Sequence, residues 1–210
     1  LNANGDPDAD KSQFSYLAVG VPGSVAGMAK ALDMYGTISL ERAIRPAIEL
    51  ADKGFTVDKY LSDSLKELRE RMEKSPASMA IFYKKDGVPY EIGETIVQKD
   101  LAWSLTRIAE EGPDAFYRGE VGKRIAADMA AHGGLITMDD LAAYEAVERT
   151  PVHGTYRGHD IYSMPPPSSG GVHLVQMLNM LEGFPLGEWG HNSPETVHVM
   201  AECMKYAYAD

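Results

Sequence analysis

Residues 163–173, SMPPPSSGGVH, gather the groups best suited to chemistry in this chain. Ser168 and Ser169 are adjacent hydroxyls, and Gly170 and Gly171 follow with no side chain to hold a ligand away. Pro165, Pro166 and Pro167 exclude a helix there and impose an extended approach. An apolar run of helical period then starts at Gly170 and continues to Leu181. The order describes a strand end turning into a helix, with Ser168 or Ser169 at the cap. Two readings follow. Unspent N–H groups at a helix start attract anions, which makes Ser169, Gly170 and Gly171 the candidate substrate-binding residues, through a carboxylate or phosphate. The same residues also form a stiff corner packed against another element. No lysine completes a phosphate loop of the form G-x-x-x-x-G-K-[ST], and no G-x-S-x-G encloses either serine.

The remaining constellations point to structure. His132, His153, His159, His173, His191 and His198 include no pair at i, i+4 and no H-E-x-x-H, so no metal site is indicated. Cys203 is the single cysteine, which excludes an intrachain disulfide and a cysteine zinc site. GVPGSVAG at 20–27 places Pro22 where a dinucleotide loop needs its tight turn, and a packing role fits better. Glu110-Glu111 and Asp139-Asp140 fall at helix ends, where solvation and the helix dipole account for them. Glu145 and Glu148 flank a hairpin at a separation the sequence does not define. Met177, Met180, Met200 and Met204 recur at helical spacing, as core-filling methionines do. Nothing implies a cofactor.

The elements that must hold these residues are mainly helical. Phe14 to Val21 reads as a short strand after a polar loop, NANGDPDADKS. Ser24 is the expected cap of a helix that ends at Gly36 in a left-handed conformation. Ser39 starts a second helix running to Gly54, with Pro46 predicting a kink or two pieces. A third spans roughly Asp58 to Glu73; residues 74–97 hold one helical turn and an exposed excursion. Helices follow at Lys99 to Glu111 and Gly119 to Ala131, and TMDDLAAY resembles a capping box. Alternation over 146–162 predicts an antiparallel hairpin. The final helix starts at Ser193-Pro194, with Val197, Met200, Ala201, Met204 and Tyr208 inward. The layout is 1–144 mostly helical, 145–163 a hairpin and 164–210 two helices, an α+β class with a small antiparallel element.

With 210 residues, 44% apolar and 24% charged, the chain is long enough for a real core. A formal charge of −11 opposes nucleic acid, and no apolar run approaches the ~18 residues of a membrane span. It opens at Leu1 in a polar stretch and stops at AECMKYAYAD in mid-helix pattern, which reads as a single piece of a longer protein.

Six stretches in order resemble the large subunit of the γ-glutamyltranspeptidases: AVGVPGSVAGMAKALDMYG (18–36), ERAIRPAIELADKGF (41–55), GPDAFYRGE (112–120), GGLITMDDLAAYEAVERTPVHGTYRG (133–158), MPPPSSGGVHLVQMLNMLEGF (164–184) and AECMKYAYAD (201–210). The resemblance covers essentially the whole chain. It implies part of an N-terminal nucleophile hydrolase, a four-layer αββα fold whose precursor, a zymogen, cuts itself into large and small subunits. The small subunit is then the partner in a heterodimer. Its first residue, a threonine, attacks a γ-glutamyl amide with its own α-amine as base, backbone N–H groups stabilise the oxyanion, and the acyl group passes to water or to an acceptor amino acid or peptide. Glutathione is the implied donor, no cofactor is needed, and the implied location is periplasmic or secreted. The resemblance puts the nucleophile downstream of Asp210 and the carboxylate-gripping arginine upstream of Leu1, so no catalytic residue is assigned here. Arg42, Arg45 and Arg157 do not replace them. The fragment alone is then expected to be inactive. An acylase with another amide substrate, or a non-catalytic scaffold or binding module, is the alternative.

Overall fold

The computed structural model describes residues 4–210; Leu1 and the first two residues of the expected polar loop, Asn2 and Ala3, lie outside the described residues. The chain divides between Ala146 and Val147 into two compact units.

The first unit starts with a helix where a loop and strand are expected. Asp8 caps α1 (Ala9–Phe14), accepting from the Lys11 N–H at 3.1 Å, and a 3-10 turn spans Tyr16–Ala18. An aspartate cap followed by an acid in the first turn is a helix start signal that outweighs polar composition. The apolar residues beyond it pair with no strand; Tyr16 and Val21 pack against a core instead.

In α2 (Ser24–Tyr35), Ser24 is the first helical residue, not the cap, and Gly23 offers no side chain. Tyr117 replaces the cap: its hydroxyl accepts from the Ala26 N–H at 3.1 Å and donates to the Pro22 carbonyl at 2.7 Å. Gly36 leaves the helix in extended conformation, φ −76°, and not left-handed. A β-carbon on Gly23 would overlap the Tyr144 hydroxyl, and the Tyr144 ring stacks on Tyr117 at 5.6 Å. This glycine exists for close approach.

Ser39 caps α3 (Leu40–Lys53), one helix despite Pro46, ended by Gly54 at φ +89°. Strand β1 (Phe55–Thr56) follows, then α4 (Lys59–Glu67), α5 (Arg69–Met72) and α6 (Pro76–Phe82). The expected third helix is therefore broken, at Leu68. Strand β2 (Thr95–Ile96) returns antiparallel to β1, a small sheet not foreseen, and leads into α7 (Lys99–Glu111), which packs on α3. The stretch expected as an exposed excursion folds on itself. Tyr83 and Ile96 are buried with Val57 and Leu65, the Tyr83 hydroxyl donates to the Leu65 carbonyl at 2.6 Å, and Lys84 pairs with Glu94 at 3.0 Å. Each such aliphatic side chain contributes on the order of 1.5–3 kcal/mol through burial. A second core joins α8 (Asp114–Tyr117), α9 (Glu120–Ala131) and α10 (Met138–Ala142) through Tyr117, Met129, Ile136 and Leu141. The expected capping box is present: the Asp140 carboxylate accepts from the Thr137 N–H at 2.8 Å, and Thr137 Oγ1 accepts from the Asp140 N–H at 3.2 Å.

The second unit is a hairpin covered by helices. Strand β3 (Val152–Tyr156) pairs with β4 (His159–Ser163) from Val152↔Ser163 to Tyr156↔His159. Arg157 and Gly158 form the turn at φ +49° and +80°, the left-handed pair that matches strand twist. Arg157 is unusual there. Its N–H donates to the Glu182 carboxylate at 2.6 Å, and its Nη2 donates to the Phe184 carbonyl at 3.0 Å. The half-buried face of the hairpin meets α11 (Gly170–Leu181), where Gly154 admits the Val175 side chain. After α12 (Leu186–Trp189), Ser193 caps α13 (Pro194–Ala209), which packs on α11. The face of α13 differs from expectation: Thr196, Cys203 and Ala207 are buried, whereas Val197, Met200, Met204 and Tyr208 are exposed. This helix is apolar on more than one side, so periodicity cannot select the inward one. Among the described residues, no helix is long and apolar enough to cross a membrane.

Candidate functional site

Strand β4 ends at Ser163, and α11 begins at Gly170, after the six intervening residues 164–169. The Pro166–Pro167 peptide in this corner is cis, and the Ser168 N–H donates to the Pro165 carbonyl at 3.2 Å, closing a turn. Arg149 braces it from the strand side, its Nη1 donating to the Pro166 carbonyl at 2.9 Å. No sequence signal marked Arg149, because it lies 17 residues from its partner.

Ser169 occupies the N-cap position in helical conformation, φ −76° and ψ −22°, and its side chain makes no capping hydrogen bond. Ser169 and Gly170 are exposed, and Gly170 has room, a β-carbon there meeting only the Ser168 hydroxyl at 3.6 Å. Gly171 is different. It is buried, and a β-carbon on it would overlap the Met164 carbonyl oxygen. The three candidates are thus brought together, with Gly171 beneath the backbone and Ser169 and Gly170 at the surface.

Beside the corner runs an open groove of about 700 Å³, lined in part by Val152, Pro166, Ser169, Val172, His173 and Gln176. Its walls are apolar and polar residues in equal number. Polar groups enter at one side, where Gln176 Nε2 donates to the Asp210 carboxylate at 2.5 Å and the His173 ring lies 5.0 Å from that of Tyr208. No acidic side chain occupies the first turn of α11, so the field at its start favours an anion. The arrangement presents a helix start beside a groove whose lining includes the Asp210 carboxylate and no lysine or arginine. It holds no nucleophile–base–orienter set.

The other singled-out residues take structural places. Both Glu110 and Glu111 pair with Arg107. Asp140 belongs to the capping box, and Glu145 and Glu148 fall on opposite sides of the division between units. His132 stacks on Tyr16 at 4.6 Å, while His153 stacks on Tyr162 at 4.6 Å and meets Asp160 at 2.7 Å. A second groove of about 820 Å³ lies along α2, where Lys30 Nζ donates to the Ala146 carbonyl at 3.0 Å.

Comparison with known proteins places this architecture. Residues 2–210 match the family described as Gamma-glutamyltranspeptidase. The chain is 52% identical over 211 residues to the glutathione hydrolase proenzyme of Escherichia coli (strain K12), covering 100% of this chain and 36% of that protein. It is 45% identical over 193 residues to an acylase ACY 1 proenzyme of Pseudomonas sp. (strain SE83), covering 92% of this chain and 34% of that protein. The Helicobacter pylori gamma-glutamyltranspeptidase structure superposes with a TM-score of 0.95 at 45% identity, over 100% of this chain and 60% of that one. The chain therefore spans about a third, 36%, of the length of the E. coli relative. Helices, both small sheets and the proline-serine-glycine corner together match part of that fold, and the chain belongs to the gamma-glutamyltranspeptidase family.

Proposed function

We propose that the chain is the central part of the large subunit of an autoprocessing γ-glutamyl transferase and hydrolase. The observation that carries this reading is 52% identity, across the whole chain, to a glutathione hydrolase proenzyme. The precursor cleaves itself, and the small subunit stays bound as a heterodimer. A threonine exposed by that cleavage takes the γ-glutamyl group from glutathione and passes it to water, an amino acid or a peptide, its α-amine serving as base. The nucleophile and the arginine that grips the substrate lie in sequence other than these 210 residues, which act as scaffold. Large apolar side chains exposed on α13, Val197, Met200, Met204 and Tyr208, fit a surface that the rest of the enzyme covers. The enzyme acts in the periplasm or outside the cell.

Within that scaffold Ser169 and Gly170, above Gly171, are the substrate-side candidates, because their N–H groups start α11, whose first turn carries no acidic side chain. The test is expression of the complete gene product with a γ-glutamyl anilide as substrate. Appearance of two polypeptides together with anilide release supports the reading; an uncleaved, inactive product opposes it. Identity of 45% to an acylase proenzyme supports a second reading, in which the same processed scaffold hydrolyses another amide. Self-cleavage with activity on an N-acyl amide, and none on the γ-glutamyl anilide, is its signature.

A further inference from the structure

We propose that Asn4 is a site of spontaneous deamidation, becoming aspartate and isoaspartate through a cyclic imide formed with Gly5. The chain has four asparagines, Asn2, Asn4, Asn179 and Asn192, followed respectively by Ala3, Gly5, Met180 and Ser193. Cyclisation requires the next residue's backbone nitrogen to reach the asparagine side-chain carbon, and a β-carbon on that residue obstructs the approach. Only Gly5 lacks one.

Local structure sharpens the selection. Asn4, Gly5 and Asp6 are exposed, Gly5 has φ +86°, and a β-carbon placed on it would meet open space. The space beside Gly5 is therefore open to solvent around the forming ring. Asn179, by contrast, lies within α11, where helical geometry holds Met180. Asn192 has φ +54° and its amide contacts the His191 ring at 3.1 Å, while Ser193 is held as the cap of α13.

The chemistry needs only water. The Gly5 nitrogen bonds to Asn4 Cγ as the Cγ–Nδ2 bond breaks, and the departing amide leaves as ammonia with the proton from the Gly5 nitrogen. Water then opens the five-membered imide at either carbonyl. One opening gives aspartate; the other gives isoaspartate, with the main chain running through the former side chain. Either product converts a neutral amide into a carboxylate, one negative charge more than the −11 of the chain, four residues before the Asp8 cap of α1.

The test uses the complete gene product, incubated at mildly alkaline pH and followed by peptide mapping with mass spectrometry and by enzymatic methyl transfer to isoaspartate. The expected result is loss of the Asn4 amide as two isomeric acid products, faster at higher pH, with Asn179 and Asn192 intact. Gly5→Ala slows it by roughly tenfold, and Asn4→Gln abolishes methyl transfer at this position. Retention of the Asn4 amide, conversion of Asn179 or Asn192 at the same rate, or an unchanged rate in Gly5→Ala overturns the proposal. None of these outcomes depends on γ-glutamyl chemistry.

Discussion

The Met164 carbonyl oxygen occupies the space a β-carbon on residue 171 would need, so the chain leaving β4 and the first turn of α11 touch backbone to backbone at Gly171. Met164 C and N also lie 3.1 Å from that position. Strand end and helix start are in close contact there, and the two glycines of the corner are not equivalent.

Gly171→Ala therefore forces strand end and helix apart. We expect a loss of about 1–3 kcal/mol in urea unfolding of the complete protein. Gly170→Ala meets no such obstacle and adds a better helix former, so its stability stays within about 1 kcal/mol of the parent, on the stabilising side.

Ser169→Ala separates a structural serine from a substrate contact. Its side chain makes no capping hydrogen bond, so stability should change by less than about 0.5 kcal/mol. If the hydroxyl meets substrate, KM for glutathione rises by roughly severalfold, the worth of one hydrogen bond. An unchanged KM removes Ser169 from the site.

Tyr117→Phe keeps the stack on Tyr144 but removes the hydroxyl that serves Ala26 N–H and Pro22 carbonyl. Two backbone groups at the start of α2 lose their partner, at a cost of about 1–3 kcal/mol in chemical denaturation. No loss would mean that water replaces the hydroxyl without penalty.

Ser62→Ala should be neutral or stabilising by up to about 1 kcal/mol. Ser62 is fully buried, and its Oγ finds no hydrogen-bond partner among the described residues. Alanine removes the desolvated hydroxyl and favours α4. A marked loss of thermal stability contradicts this.

Acid destabilisation should involve Asp140. Hydrogen bonds from the Thr137 hydroxyl and then its backbone N–H hold this carboxyl below the usual aspartate range. The ionised form is favoured in the folded chain, so its contribution is complete above about pH 4 and is lost as pH falls through the lowered value. Glu94 behaves alike, through the Glu91 N–H first and Lys84 second. In Asp140→Asn, the stability gap to the parent should close as pH falls through that window; a gap independent of pH contradicts the assignment.

Elements with strong local signals were legible from residues alone. Lys99 to Glu111 and Gly170 to Leu181 fall where the apolar period puts them, and the Thr137 box and the Ser193-Pro194 start form as their side chains dictate. What was not legible depends on partners far along the chain. Tyr117 caps a helix more than 90 residues earlier, a separation of 91 to Ala26, so Ser24 looked like the cap. The β1–β2 pair is two residues per strand, too short for alternation to register. Helix α13 misled because its apolar residues surround it. At the corner, sequence located Ser169, Gly170 and Gly171, but only packing against Met164 distinguishes the two glycines.

The most direct measurement compares the complete gene product with residues 1–210 prepared alone, each assayed for glutamate release from glutathione. The account predicts two polypeptides and turnover from the complete product, and no turnover from the 210 residues. Turnover by those 210 residues without a companion chain would contradict it.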